Sequence, residues 1–547
     1  MKAVEITDLN FKYKDGTEAL NGIILSIPKG EFVVITGKSG AGKSSLCLSL
    51  NGLIPKFLKG EFRGSVSVLN EDVKNNKVSE LAKKVGVVFQ DFDSQLFSTN
   101  VELEVAFTPE NFNFSKKEIE RRIESSLSLV GLSKYRDRNP ALLSGGEKQL
   151  VAIASILSGS PEIIVMDEPT TDLDPAGKEK IFTITKELKK NHTLIFVEHE
   201  TEEILNADRM LIMNGGKIVA DSSPKDLLSD VELLEKNGVR PLDLCRLFKN
   251  EPVFSIKEGI DLFKKKRFSI SDKVYENLKH KKSYGRPVLE IKDLTYSYGP
   301  QFSIEKISLT IRKGEFVAIV GQNGSGKTTF AKHLNGLLLP DRGEIKINGV
   351  DISQWKRSNL AREVGYVFQN PDHQLFAETV KDEVSFGPRN FGVPKEELEL
   401  GVKESLQSVG LEGYETFDPF SLTKGERQKV AVASILASRP SILILDEPTT
   451  GLDYYETRSM MNLLTKLNRA GYTIIIITHS MWVVCEYSSR VVVMDSGRVV
   501  LDGKTREVFS KEDLLRSTKL KPPQITRFSR LLGKTFLSVE ELKKCLN

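Results

Sequence analysis

The sequence predicts an α/β chain built from two tandem copies of one domain, and three observations carry that reading. The 547 residues exceed what one ordinary hydrophobic core holds and point to two to four domains. The chain repeats itself: VEITDLNFKYKD from Val4 returns as LEIKDLTYSYGP from Leu289, and VGVVFQDFDSQLF from Val85 returns as VGYVFQNPDHQLF from Val364. Within each copy, short β-branched runs lead into glycine-rich turns and then helix-period stretches, the order of an α/β unit. A period this long is no solenoid repeat, so the copies are whole domains.

Composition sets the outer bounds. With 39% hydrophobic and 28% charged residues the chain reads as soluble and globular. A net charge of +4 carries no strong field for nucleic acid, and no direct nucleic-acid partner is expected. Cys47, Cys245, Cys485 and Cys545 lie far apart, which fits neither a metal cage nor a disulfide framework and does fit a reducing cytosol. No signal peptide is expected at the start. No apolar run approaches the roughly 18 residues of a membrane span, so any membrane role must come through partners.

Each copy opens on alternating strand-like pattern and then reaches KGEFVVITGKSGAGKSS or KGEFVAIVGQNGSGKTT. The GxxxxGK[ST] stretches are Gly37, Lys38, Ser39, Gly40, Ala41, Gly42, Lys43, Ser44 and, in the second copy, Gly321, Gln322, Asn323, Gly324, Ser325, Gly326, Lys327, Thr328. Glycines let successive backbone N–H groups curl around phosphate oxygens, and the following helix, entered through Ser45 or Thr329, turns its positive end to them. The lysine neutralises phosphate charge and the Ser44 or Thr328 hydroxyl suits Mg²⁺. Apolar strands later end in Asp167-Glu168 and Asp446-Glu447. The aspartates suit Mg²⁺ ligation, and the glutamates suit orientation of an attacking water. TLIFVEHE and TIIIITHS each deliver one histidine, His199 and His479, at a strand end.

Between these motifs stand LSGGEKQ and LTKGERQ. Ser144 with Glu147, and Thr423 with Glu426, match the capping box [ST]-x-x-E ahead of an apolar-periodic run, so each is expected to start a helix. Gly146 and Gly425 correspond, whereas Gly145 faces Lys424. At a first helical position that lysine is sterically allowed; at a position needing positive φ it would cost about 1–2 kcal/mol.

The order of aromatic residue, GxxxxGK[ST], glutamine, LSGGEKQ, DEPTT and histidine resembles the ATP-binding cassette (ABC) ATPases, over both halves almost end to end. The resemblance implies two tandem ABC-type P-loop nucleotide-binding domains, each with a RecA-like core, an antiparallel β subdomain, a helical subdomain and a small C-terminal helical appendix. The implied boundaries are 1–231 and 287–515 for the domains, with 232–286 as appendix and connector and 516–547 as the C-terminal appendix. By the same resemblance Tyr13 and Tyr298 stack on adenine, and Gln90 and Gln369 reach Mg²⁺ and the water. His199 and His479 sense the γ-phosphate, and Asp174 and Asp453 sit at the seam between domains. The two cassettes are implied to close as an intramolecular head-to-tail sandwich, each ATP held by one copy's phosphate loop and the other copy's Ser144-Gly145-Gly146 or Thr423-Lys424-Gly425.

The stretch QNPDHQLFAETVKDEVSFGPRNF after Gln369, and its looser counterpart after Gln90, resembles the ATPases of energy-coupling-factor (ECF) importers. This implies a transmembrane coupling subunit, a substrate-binding membrane subunit for a vitamin or transition-metal ion, and a peripheral place on the cytoplasmic face of the membrane. Asp93, Asp372, Glu104 and Glu383 are expected either to meet the partner's arginines or to be solvated surface. The basic runs 264–267 and 279–282 are read as solvated helix faces, with acidic lipid as the alternative. Two rival readings stay open: a duplicated sugar-importer ATPase, and a soluble twin-cassette ATPase acting on ribosomes or nucleic acid.

Overall fold

The computed structural model describes residues 1–171, 173–278, 283–299 and 302–546. They divide into two compact units, Met1–Phe254 with Asp453–Tyr455, and Ser255–Leu452 with Glu456–Asn547.

In unit 1 a six-stranded sheet runs in the order Lys217–Ser222, Arg209–Asn214, Phe32–Gly37, Thr193–Val197, Ile163–Asp167, Val85–Val88. Only the first pair is antiparallel. Phe32–Gly37, Ile163–Asp167 and Thr193–Val197 are buried at every position, which is why they read as unbroken apolar runs rather than alternating ones. An antiparallel sheet, ordered Glu18–Pro28, Lys2–Tyr13, Gly60–Val68, Glu71–Asp72, packs its apolar face on the same core. Three helices, Val101–Asn111, Lys116–Val130 and Gly145–Ser158, form the helical part around Val105, Leu127 and Ile153.

Unit 2 repeats the plan. Its main sheet runs Val364–Val367, Ile442–Asp446, Thr473–Ile477, Phe316–Gly321, Arg490–Asp495, Arg498–Lys504, with a second, antiparallel sheet built on Pro287–Gly299. The helical part comprises Val380–Asn390, Lys395–Val409 and Lys424–Leu436.

The region 232–286, expected as a helical appendix and connector, is divided between the units. Val231–Lys236 and Asp243–Leu247 belong to unit 1. Ile256–Lys265 and Asp272–Asn277 belong to unit 2, packed on the C-terminal helices Gln524–Leu531 and Val539–Cys545. The reason is apolar: Phe263 meets Phe528 edge-on at 6.1 Å and Tyr275 meets Phe536 at 5.1 Å. The Tyr275 hydroxyl also accepts from the Thr535 N–H at 3.1 Å. Lys264–Arg267 are exposed, and the run 279–282 lies outside the described residues.

Candidate functional site

The phosphate loops follow from two close backbone approaches. Gly37 (φ 137°) and Gly42 (φ 92°) adopt backbone closed to most side chains, and a methyl group on either would overlap the Met213 or Ala19 carbonyl oxygen. Gly321 (φ 157°) repeats this against Met494. The loop then enters Lys43–Leu50 or Lys327–Leu334 at the helix N-terminus. Lys43 Nζ donates to the carbonyls of Gly37 (3.0 Å) and Lys38 (2.8 Å). Lys327 does the same to Gly321 (3.0 Å) and Gln322 (2.8 Å). Both ammonium groups thus span the mouth of their own loop. The hydroxyls of Tyr13 and Ser45 are hydrogen-bonded at 2.9 Å, while Tyr298 is exposed and packs edge-on against Tyr296 at 4.9 Å.

The sheet brings the acids to these loops. Asp167, at a strand end, is hydrogen-bonded by Ser44, and Asp446 by Thr328. Burial, with the adjoining Glu168 charge adding to it, pushes the Asp167 carboxyl up to about 6 against the pull of Ser44 and Lys43. Asp446 is shifted upward for the same cause. Asp167 Oδ1 and Asp446 Oδ1 are buried without a hydrogen-bond partner. The Tyr366 hydroxyl donates to Asp446 Oδ2 at 3.0 Å, where the first copy has Val87. Sequence reading missed that tyrosine, and its one signal was VGYVFQ against VGVVFQ.

Glu168 and Glu447 hold positive φ, 51° and 48°, and each side chain lies beside the histidine of its copy. Gln90 Nε2 donates to Glu168 Oε2 at 2.8 Å, Thr171 Oγ1 donates to the same oxygen at 3.1 Å, and His199 Nε2 lies 3.4 Å from Oε1. Burial raises the Glu168 carboxyl, but the His199 hydrogen bond and charge outweigh it and hold the group at about 2. In the second copy His479 Nε2 lies 2.9 Å from Glu447 Oε1, and the His479 backbone N–H donates to Oε2 at 3.3 Å. In both copies the glutamate and the histidine therefore stand side by side.

One buried acid was not anticipated. Glu198 accepts from Thr170 Oγ1 (2.7 Å), His199 N–H (2.7 Å) and Glu200 N–H (3.1 Å), fixing the turn that carries His199. The second copy has Thr478 there. Burial raises the Glu198 carboxyl above the ordinary glutamate range. A carboxyl raised in the folded state binds its proton more tightly folded than unfolded. Its stabilisation is full below the unfolded value of about 4.3 and is lost as pH rises through the folded value. Glu198→Gln is therefore expected to flatten the fall in melting temperature above about pH 5, measured by circular dichroism; an unchanged pH slope would refute the assignment.

Both signatures start helices through a reciprocal capping box. Glu147 N–H donates to Ser144 Oγ (3.4 Å) and Ser144 N–H to Glu147 Oε2 (2.9 Å); the Thr423 and Glu426 distances are 3.3 and 2.9 Å. Lys424 is the first helical residue and is absent from the positive-φ positions, so it costs no backbone strain. Its side chain lies over Gly451 (φ 72°), where a methyl group would overlap Nζ. A methyl group at Gly425 would meet the Glu456 carboxylate at 2.6 Å and require that side chain to move.

Of the acids after the glutamines, Asp93 and Asp372 lie on the solvated surface, with 58% and 40% of their side chains exposed, whereas Glu104 and Glu383 depart from expectation. Glu104 and Glu383 are buried, neither solvated nor open to a partner's arginines. Glu104 Oε2 accepts from the backbone N–H groups of Phe97 (3.0 Å) and Ser98 (2.7 Å), and Glu383 Oε2 from Phe376 and Ala377, each at 2.9 Å. They tie down the loop before their own helix. Asp93 and Asp372 pair within their own copies, with Lys148 at 2.8 Å and Arg427 at 2.7 Å. This region also exposes aromatics: Phe97 (63%) and Phe107 (46%), edge-packed at 4.7 Å, and at the equivalent place Phe376 (59%) and Phe386 (46%), also at 4.7 Å.

Two P-loop cassettes with capped signature helices and paired glutamate–histidine groups define a twin-cassette ATPase. The chain belongs to the ABC transporter family, whose pattern it matches over residues 20–171 and 304–450; ABC ATP-binding proteins bind and hydrolyse ATP. Along its whole length it is 49% identical to an ABC transporter ATP-binding protein of Caldanaerobacter subterraneus subsp. tengcongensis, covering 99% of that relative. A Methanosarcina acetivorans protein of the same description is 39% identical over 97% of this chain and 90% of its own length. Among solved structures, CbiO1 of Clostridium perfringens, part of the ABC transporter complex CbiONQ, is 36% identical over 46% of this chain and 100% of its own, with a TM-score of 0.40.

Proposed function

We propose that this chain is the ATP-hydrolysing subunit of an ECF-type importer, with both cassettes of the importer fused in one polypeptide. Its partners are a transmembrane coupling subunit and a substrate-binding membrane subunit for a vitamin or transition-metal ion. It sits on the cytoplasmic face of the membrane, and among the described residues no helix is long and apolar enough to cross one. The observation that carries the reading is the pair of exposed phenylalanine doublets, Phe97–Phe107 and Phe376–Phe386. Each lies in the stretch after Gln90 or Gln369 that resembles ECF ATPases. Apolar aromatics set together in solvent mark a contact surface, and a fused pair offers one per cassette.

The proposed cycle rests on positioning and charge neutralisation. In each cassette the loop from Gly37 to Ser45, or from Gly321 to Thr329, holds the phosphates, with Lys43 or Lys327 turning from loop carbonyls to phosphate oxygens. Tyr13 and Tyr298 stack on adenine. Glu168 and Glu447 orient the attacking water, with His199 and His479 beside the γ-phosphate. Mg²⁺ would be held by Ser44, Gln90 and Asp167, and by Thr328, Gln369 and Asp446, neutralising the phosphates. The free Oδ1 of each buried aspartate fits such an ion. The domains 1–231 and 287–515 close head to tail, so Ser144, Gly145 and Gly146 face the ATP on Lys327, and Thr423, Lys424 and Gly425 face the ATP on Lys43. Closing and opening move the coupling subunit.

Affinity-tagged chain extracted from native membranes in mild detergent tests this reading. The expected result is an integral membrane protein in stoichiometric amount, carrying a small molecule or metal ion, and its loss from the double variant Phe376→Ser, Phe386→Ser. Co-sedimentation with ribosomes or nucleic acid, and no membrane protein, would overturn it in favour of the soluble twin-cassette class.

A further inference from the structure

In each copy the exposed segment after the glutamine is tied to the first turn of its own signature helix. Asp93 Oδ1 lies 2.8 Å from Lys148 Nζ, and Asp372 Oδ1 lies 2.7 Å from Arg427 Nε. Lys148 and Arg427 follow Ser144 and Thr423 by four residues, about one helical turn. The acid's flanks have diverged between the copies, DFDSQ against NPDHQ, and the cation has changed from Lys148 to Arg427 within the same G-E-x-Q setting, while the two charges keep their signs and places. The cations are largely covered, with 21% and 20% of their side chains exposed.

Deeper ties make segment and helix one body. In the first copy Ser155 Oγ donates to the Glu104 carbonyl (3.0 Å) and Ser158 Oγ to the Val105 carbonyl (2.8 Å). In the second, Gln374 Nε2 donates to the Ala431 carbonyl (3.1 Å) and to Ser434 Oγ (3.2 Å). The ion pair is the tie nearest the helix cap. The capping glutamates are themselves held by tyrosine hydroxyls, Glu147 by Tyr135 and Glu426 by Tyr414 at 3.2 Å, and the ion pair adds an anchor that links the helix start to the segment after the glutamine. Arg427 also donates to the Leu422 carbonyl at 2.7 Å, so the second copy is gripped on both sides of Thr423.

We propose that Lys148 and Arg427 are positioning residues for ATP hydrolysis, holding the signature helix start in register with the segment after the glutamine through Asp93 and Asp372. This rests on the reading of the signatures as part of the hydrolytic site and needs no membrane partner.

The test is steady-state hydrolysis of MgATP by the full-length chain carrying Lys148→Gln, Asp93→Asn, both together, or the exchanged pair Asp93→Lys with Lys148→Asp. The same set is made at Arg427 and Asp372. Single variants are expected to lower kcat about two- to fivefold, with KM and melting temperature close to those of the parent. The neutral double should be no worse than its singles, and the exchanged pair should recover at least half the rate. Unchanged kcat in the singles, losses that multiply in the double, or an exchanged pair no better than the singles would each overturn the proposal. A fall in melting temperature without a fall in kcat would assign the pair to stability alone and also overturn it. Glu168→Gln and Glu447→Gln in the same assay report separately on the hydrolytic site.

Discussion

Glu447→Gln is expected to remove most of the ATPase activity of the assembled complex, and Glu168→Gln a smaller share. Loss of a residue that orients or deprotonates the water lowers the affected site by about 10²–10⁴-fold. The total then falls by whatever fraction that site contributed. The proposed head-to-tail pairing sets the ATP on Lys327 opposite Ser144-Gly145-Gly146, and the ATP on Lys43 opposite Thr423-Lys424-Gly425. The signatures differ at three positions, Ser144 against Thr423, Gly145 against Lys424 and Lys148 against Arg427; only Lys424 adds a charge, and it does so with both capping boxes complete and no backbone strain. A lysine at a helix N-terminus opposes the dipole by roughly 0.3–1 kcal/mol, and its ammonium lies over Gly451. Slower turnover at the Lys43 site, with binding retained, is the expected result; equal losses from the two substitutions would refute unequal sites.

Glu104→Ala and Glu383→Ala are expected to destabilise their units by about 2–6 kcal/mol. Each carboxylate accepts two backbone N–H groups from the loop before its helix. Removing it leaves two donors without a partner in a buried setting, at about 1–3 kcal/mol each. Melting followed by circular dichroism should fall by several degrees, and the loop carrying Phe97 or Phe376 should gain hydrogen exchange. Glu→Gln retains one acceptor oxygen and should recover part of the loss. A melting temperature within a degree of the parent's for both alanine variants would return these residues to the solvated surface first expected of them.

The way these glutamates were misread shows where sequence reading ends. VELEVAF and VKDEVSF place an acid in a helix's first turn, where exposure is the ordinary state. Nothing local announces that the loop six or seven residues earlier curls back to donate to it. Tyr366 and Glu198 escaped for the same reason: each earns its role from a strand or turn far away in the chain, Asp446 for one and Thr170 for the other. The connector 255–277 is a further case. Its apolar spacing marks amphipathic helices but does not say which surface covers them, and Phe528 and Phe536, more than 250 residues on, supply it.

Much of the site was legible because its chemistry is local. A phosphate loop needs glycines at fixed spacing so that backbone can enter positive φ and approach a neighbouring strand. A capping box needs a hydroxyl and a glutamate three residues apart, and a buried parallel strand needs a run of apolar residues ending in the acid it presents. From those patterns alone came two copies of one α/β cassette, their loops, acids and histidines, and LTKGERQ as an intact helix start. Only the tertiary structure decided which acids are buried, which pair with a cation of their own chain and which side chains are left in solvent. Burial and pairing depend on residues that one-dimensional spacing does not bring together.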